Sequence, residues 1–196
     1  MKKLTKKSLF VLGLFVSMLT YANSEIETIK EKEPNVTNIS FKKLKQGSKL
    51  SIKDMNGIVL YKEAIIKKGD YSKGFDLTSL PNGDYFFELD TEFKVMIIPF
   101  NVVSNQVAFK KELKTTIYKP FVRVKGDKVF VSRVSFEESP IEYSIYYEHN
   151  NDLVLTEKFI DQKHLKMIYD FSTSEKGNYV FVFKSNGRKF TKTVKI

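Results

Sequence analysis

The chain has 196 residues, is 42% apolar and 14% aromatic with 17 Phe and 10 Tyr, and carries a formal charge of +10. The absence of Cys excludes disulfides, thiol nucleophiles and thiolate zinc sites. Two histidines, His149 and His164, leave no histidine cluster for a metal, and no cofactor is expected.

Residues 1–22 read as an export signal. Met1-Lys2-Lys3 with Lys6 and Lys7 forms a basic start, Ser8 to Leu19 is an almost unbroken apolar run, and Ala22 and Ser24 offer small residues for a signal peptidase. The run is too short to span a bilayer comfortably, and no later stretch approaches that length, so no transmembrane segment is expected in the mature protein. Loss of Lys2, Lys3, Lys6 and Lys7, with no acid, lowers the charge to +6. The remaining lysines, such as Lys42-Lys43, Lys67-Lys68 and Lys110-Lys111, are mixed with acids. They read as a solvated surface that blunts strand edges, the alternative being a patch for an acidic polymer. No arginine cluster or basic helical stripe supports nucleic acid as a partner.

Residues 23–35 are polar and charged and are predicted to be a flexible leader. Residues 36–118 then read as a first β-sandwich module. Asn38 to Leu44 and Lys49 to Lys53 are strand-like. Asn56-Gly57 predicts a tight hairpin, with both turn residues at positive φ, into Ile58 to Tyr61. Gly69-Asp70 and Lys73-Gly74 read as loop, Phe75 to Leu77 as a short strand, and Pro81-Asn82-Gly83 as a turn with a left-handed glycine. Tyr85 to Leu89 and Phe93 to Ile98 form a closing hairpin that Pro99 ends. Val102 to Tyr118 fits either module, and Pro120 marks the boundary.

Residues 119–196 repeat the scheme as a second module. Phe121 to Val124, Val129 to Phe136, Glu142 to Tyr147, Leu153 to Leu155, Tyr179 to Phe183 and Phe190 to Ile196 read as strands. Lys163 to Ile168 is the only stretch that suggests a helical turn. The repeat is explicit: Phe75-Asp76-Leu77-Thr78-Ser79 with Gly83 and Tyr85 is answered by Tyr169-Asp170-Phe171-Ser172-Thr173 with Gly177 and Tyr179. The fold expected is all-β: two tandem immunoglobulin-like β-sandwiches after a signal peptide.

Leu50 to Tyr61, followed by Asp76-Leu77-Thr78-Ser79-Leu80-Pro81-Asn82-Gly83-Asp84-Tyr85, resembles the C-terminal sorting domain of the type IX secretion system of Bacteroidetes. The second module keeps Asp170, Gly177 and Tyr179, but Ser174 and Glu175 replace Leu80 and Pro81. Its basic end, with Lys192, Val194, Lys195 and Ile196, resembles the terminal strand of such domains and is the candidate sorting tail. The resemblance implies an immunoglobulin-like sandwich, an exported protein, and the type IX machinery as a partner.

Asp76, Gly83, Tyr85, Asp170, Gly177 and Tyr179 are expected to serve turn geometry and tyrosine anchoring. Tyr143 and Tyr147 share one strand face with Ile145 and read as core, whereas Tyr146 points the other way and is the candidate contact residue. Glu137-Glu138 and Glu148 with His149 carry no recognised acid–base pattern, and no nucleophile elbow, zinc helix motif, P-loop or calcium loop is present. The expectation is a non-enzymatic binding or adaptor protein of the bacterial envelope, located in the periplasm, at the surface or outside the cell. Its partner would be a protein or an envelope glycan. The alternatives are a small type IX cargo with the second module as its address, and an envelope enzyme or glycan-binding accessory.

Overall fold

The computed structural model describes residues 5–6, 26–33, 35–135, 140–160 and 163–196. The signal-peptide expectation lies outside these residues except for β1 (Thr5–Lys6), whose backbone pairs with Tyr169 and Asp170. Phe136, Glu137 and Glu138 also lie outside them. The chain divides into two compact units between Ile117 and Tyr118.

The first unit contains β2 (Ile26–Glu33), β3 (Val36–Leu44), β4 (Lys49–Asp54), β5 (Val59–Ala64), β6 (Gly69–Phe75), β7 (Gly83–Asp90) and β8 (Lys94–Val103). It also contains β9 (Gln106–Phe109), a 3-10 turn at Lys111–Leu113 and β10 (Thr115–Tyr118). One sheet has the order β2-β3-β6. The other runs β10-β8-β7-β4-β5, with β9 also on β8. The first, second and fifth strands thus face the third, fourth, sixth and seventh, an immunoglobulin-like sandwich in which the fourth strand joins the third. Alternation along each strand sends Ile39, Phe41, Leu50, Ile52, Phe87, Leu89, Ile98 and Phe100 into one core. In it Phe75 meets Phe87 edge-on and Phe87 meets Phe100 tilted, each at 5.3 Å between centroids, while Tyr85 stacks on Phe100.

The second unit is built the same way from β11 (Phe121–Lys125), β12 (Lys128–Val134), β13 (Ile141–Tyr147), β14 (Asp152–Phe159), β15 (His164–Asp170), β16 (Asn178–Ser185) and β17 (Arg188–Lys195). Its sheets are β15-β12-β11, extended by β1, and β14-β13-β16-β17. The core comprises Val129, Val131, Ile141, Tyr143, Ile145, Leu165, Tyr169, Phe171, Tyr179, Phe181 and Phe183. Among the described residues the regular structure is strand apart from one 3-10 turn, and no helix there is long and apolar enough to cross a membrane.

Several sequence expectations are corrected. The predicted flexible leader, 23–35, instead contains β2, which pairs antiparallel along β3 from Glu33↔Val36 to Ile26↔Phe41. An open sheet edge supplies backbone hydrogen bonds to any extended segment, so low apolar content does not prevent pairing. Asn56-Gly57 is not a two-residue turn. Only Gly57, at φ 84°, is left-handed, Gly57 N–H donates to Asp54 C=O at 3.0 Å, and the register slips between Ile52 and Lys53. The Asp54 carboxylate accepts the Asn56 and Ile58 amides at 3.0 and 2.8 Å, which stabilises this wider loop.

The segment read as loop around Gly69 and Gly74 is strand β6, paired with β3. Gly74 is required by close approach, since a Cβ there would stand 2.8 Å from Val36 Cγ1. Pro99 does not end β8 but sits within it, opposite Phe86. Its carbonyl accepts from the Lys110 amide at 2.9 Å, so its missing N–H falls on the β9 side and not on the β7 ladder. Lys163 to Ile168 is not a helical turn. It enters β15, with Leu165 and Tyr169 facing the core.

Candidate functional site

The repeated motif forms the corner between the fifth and sixth strands of each unit. In the first unit Asp76 Oδ1 accepts the Thr78 amide at 3.1 Å and the Thr78 hydroxyl at 2.6 Å. In the second, Asp170 Oδ1 accepts the Ser172 amide at 3.0 Å. These are Asx turns in which a short carboxylate holds the chain as it leaves the strand. The corner then closes through tyrosine: the Tyr85 hydroxyl donates to Pro81 C=O at 2.9 Å, and that of Tyr179 to Glu175 C=O at 2.8 Å. A phenol near the start of the sixth strand, bonded to backbone just upstream, is the tyrosine corner of immunoglobulin-like sandwiches. Burial pushes the Tyr179 phenol up, with Tyr147 adding to the effect.

The two corner glycines differ. Gly177 is at φ 155°, and a Cβ there would lie 2.7 Å from Tyr147 Cε2. Gly83, expected to be left-handed, is not among the positive-φ residues, and a Cβ there would make ordinary contacts with Tyr85 from 3.4 Å.

A second correspondence was not read from the sequence. Leu50 on β4 faces Leu89 on one side and Glu63 on the other, and Tyr143 on β13 likewise faces Phe183 and Glu157. Glu63 and Glu157 are therefore equivalent, each on the inner face of an edge strand. Glu63 accepts from the Tyr61 hydroxyl, from Tyr71 at 3.1 Å and from Lys73 Nζ at 2.7 Å, and Lys73 also reaches the Tyr61 oxygen at 2.6 Å. The Lys73 hydrogen bond holds the Glu63 carboxyl below its ordinary range, and Glu63 in turn raises Lys73. Burial, then Glu63, pushes Tyr71 up. Glu157 accepts from Tyr143 at 2.8 Å and Tyr169 at 2.7 Å, and the two phenols also contact each other. Burial raises Tyr169. In the second unit the carboxylate satisfies hydroxyls that the buried Tyr143 and Tyr169 carry inward, where an unpaired polar atom would be costly, and in the first it gathers those of the partly buried Tyr61 and Tyr71. The signal available in the sequence was the core-facing Glu at matching distances from the repeated corners.

The remaining candidates fall elsewhere. Tyr146 is half-buried on the outer face of β13, opposite Val180. Tyr143 is fully buried and Tyr147 packs against the core edge. Lys192, Val194 and Lys195 belong to the paired strand β17, opposite Phe181, Tyr179 and Asn178, while Ile196 exchanges backbone hydrogen bonds with Gly177. Val194 and Ile196 pack against the core. Glu148 accepts from Asn178 Nδ2 at 2.7 Å, and His149 lies on the surface beside the Tyr147 ring. Among the described residues no group of three or more His, Asp or Glu could hold a metal.

The site contains tightly satisfied corners and edge carboxylates within immunoglobulin-like sandwiches, which defines the class as an all-β sandwich protein. Residues 33–99 match the family described as the Secretion system C-terminal sorting domain. The match runs from the last residue of β2 into β8 and includes Asp76, Gly83 and Tyr85 but none of the second unit. No curated protein matches the chain. Among solved structures, it is similar to one described as a biofilm associated protein BSP domain (12% identity, TM-score 0.28), covering 83% of this chain and 27% of that one. It is also similar to the FN1-FN3 domains of chicken CNTN1 (11% identity, TM-score 0.29), covering 82% of this chain and 60% of that one. The chain thus spans less than two thirds of either structure.

Proposed function

We propose that this chain is an exported, non-enzymatic binding or adaptor protein of the bacterial envelope that works through the surfaces of its sandwiches. The observation that carries the reading is the sorting-domain match over residues 33–99, which ties the first unit to a family of secretion modules. The fate of the repeated residues supports it. Asp76, Tyr85, Asp170 and Tyr179 are all committed to holding corners, and Glu63 and Glu157 to bonding tyrosine hydroxyls. Chemistry on a substrate needs groups that converge on a reacting atom. Here the polar groups converge on one another, which leaves strand edges, sheet faces and loops to meet a partner.

The test is crosslinking in cells producing the tagged full-length chain. A discrete envelope partner is the expected result, and a protein recovered only as itself under efficient crosslinking contradicts the reading. A second reading, a small cargo of the type IX machinery, is favoured by the same match. That match falls on the first unit and not on the terminal strand, so the address would lie in 33–99, with Lys192 to Ile196 completing a neighbouring fold.

A further inference from the structure

β5 is one of the edge strands of the first unit. Among the described residues it pairs only with β4, so its second row of backbone groups is open. The approach to it is apolar and in water: Met55 is 67% exposed, Ile58 60%, Val59 49% and Leu60 46%. Ile66, just past its far end, is 73% exposed. Folded monomers rarely leave a contiguous apolar run on an open edge, because such an edge templates pairing with another chain.

Charge then selects the occupant. Lys62 points to the outer face of β5, opposite Ser51, and Lys67 and Lys68 follow at the end of the strand, all exposed. None of the three takes part in an ion pair among the described residues. The strand's one acid, Glu63, faces inward and is neutralised by Lys73. The edge is thus apolar at the hairpin and positive at Lys62 and just past its far end. A second copy fits poorly, because antiparallel self-pairing would bring the Lys62 side chains of both copies close together. We propose that β5 accepts an extended segment of a partner protein in which apolar and acidic residues alternate. Its backbone would continue the sheet, its apolar side chains would cover Tyr61 and the hairpin residues, and its acids would meet Lys62, Lys67 and Lys68. This rests on the binding-module reading and names its surface.

The full chain is titrated with an acetylated, amidated Glu-Val-Glu-Val-Glu-Val-Glu peptide, with the matching Lys-Val peptide as control. Backbone amide exchange is followed by mass spectrometry. The acidic peptide should slow exchange in Val59–Ala64 and the basic one should not. The triple variant Lys62→Glu, Lys67→Glu, Lys68→Glu should weaken the acidic peptide at least about tenfold, as removal and reversal of several exposed pairs implies. The double variant Ile58→Ser, Leu60→Ser, at exposed positions that should leave the fold intact, should weaken it too. Protection elsewhere, indifference to peptide charge, or protection of Met55 to Leu60 only by phosphatidylglycerol vesicles overturns the proposal. The triple variant is also crosslinked in cells. If it keeps a partner that the wild type captures, the surface is wrong while the binding reading stands. If neither captures one, the binding reading fails, and the peptide result alone decides the chemistry of the edge.

Discussion

Tyr179 donates its phenolic hydrogen to the Glu175 carbonyl at 2.8 Å, and Tyr85 makes the same bond to Pro81 at 2.9 Å, each across four residues of chain. The repeat that stands out in the sequence is therefore a repeated anchor that fixes where the sixth strand starts. Replacing Tyr179 or Tyr85 by Phe keeps the buried ring and strands a carbonyl. Each change should cost about 0.5–1.5 kcal/mol. Urea unfolding followed by tyrosine fluorescence, possible in a chain without Trp, measures it. Equal midpoints for wild type and variants would remove the anchor.

The paired glycines give a sharper contrast. Gly177→Ala forces a side chain into a φ of 155° and against the Tyr147 ring, and should destabilise by about 1–3 kcal/mol. Gly83→Ala meets only ordinary contacts and should stay within about 0.5 kcal/mol of wild type. The same denaturation series reads both, and the opposite order would refute the backbone argument.

The Glu63 cluster sets a pH window for the first unit. Its folded value lies below the ordinary carboxylate value, with the Lys73 hydrogen bond as the largest cause. Its contribution is therefore present above the unfolded value and lost as pH falls through the folded one. Tyr71 and Lys73 are both raised, so stability is fully present below their unfolded values and declines as pH rises beyond them. Glu63→Gln should flatten the acid limb and also weaken the alkaline one, since the Glu63 hydrogen bond is the largest cause of the Lys73 shift. Urea midpoints taken from about pH 3 to about pH 11 check this, and an unchanged acid limb contradicts it.

Core truncation should separate structure from function. Phe181→Ala, at a fully buried position, should cost about 3–5 kcal/mol and compromise the second unit. Deleting Lys192 to Ile196 should also destabilise that unit, since Val194 and Ile196 pack on its core. Lost secretion after such a deletion would thus report misfolding. Lys195→Glu, at an exposed position, should leave the urea midpoint within about 0.5 kcal/mol of wild type and is the cleaner probe of a sorting tail.

The fold was legible where period-two burial is strong. Ile145, read as core, is core, and the segments read as strands over 38–44, 85–89 and 179–183 send Ile39 and Phe41, Phe87 and Leu89, and Phe181 and Phe183 into cores by alternation. It was illegible where backbone pairing outweighs composition. β2 forms from a charged segment because an edge accepts any extended chain, and β6 forms through two glycines, one of which Val36 crowds. The corner residues were visible because the chain states them twice. Glu63 and Glu157 were not, because their equivalence lies in cross-strand register, and a charged residue read alone looks solvated. Tyr146 shows the limit of alternation: its outward direction was right, but a half-buried ring says nothing about a partner.

The most direct test of the account is the location of the protein. Cells expressing the tagged full-length chain are fractionated and treated with external protease, with and without a working type IX translocon. The account predicts an exported protein. Surface or medium location that depends on the translocon marks it as cargo addressed by residues 33–99, and periplasmic location in both strains marks a resident binding protein. Recovery in the cytoplasm of both strains, protected from protease, would contradict the account.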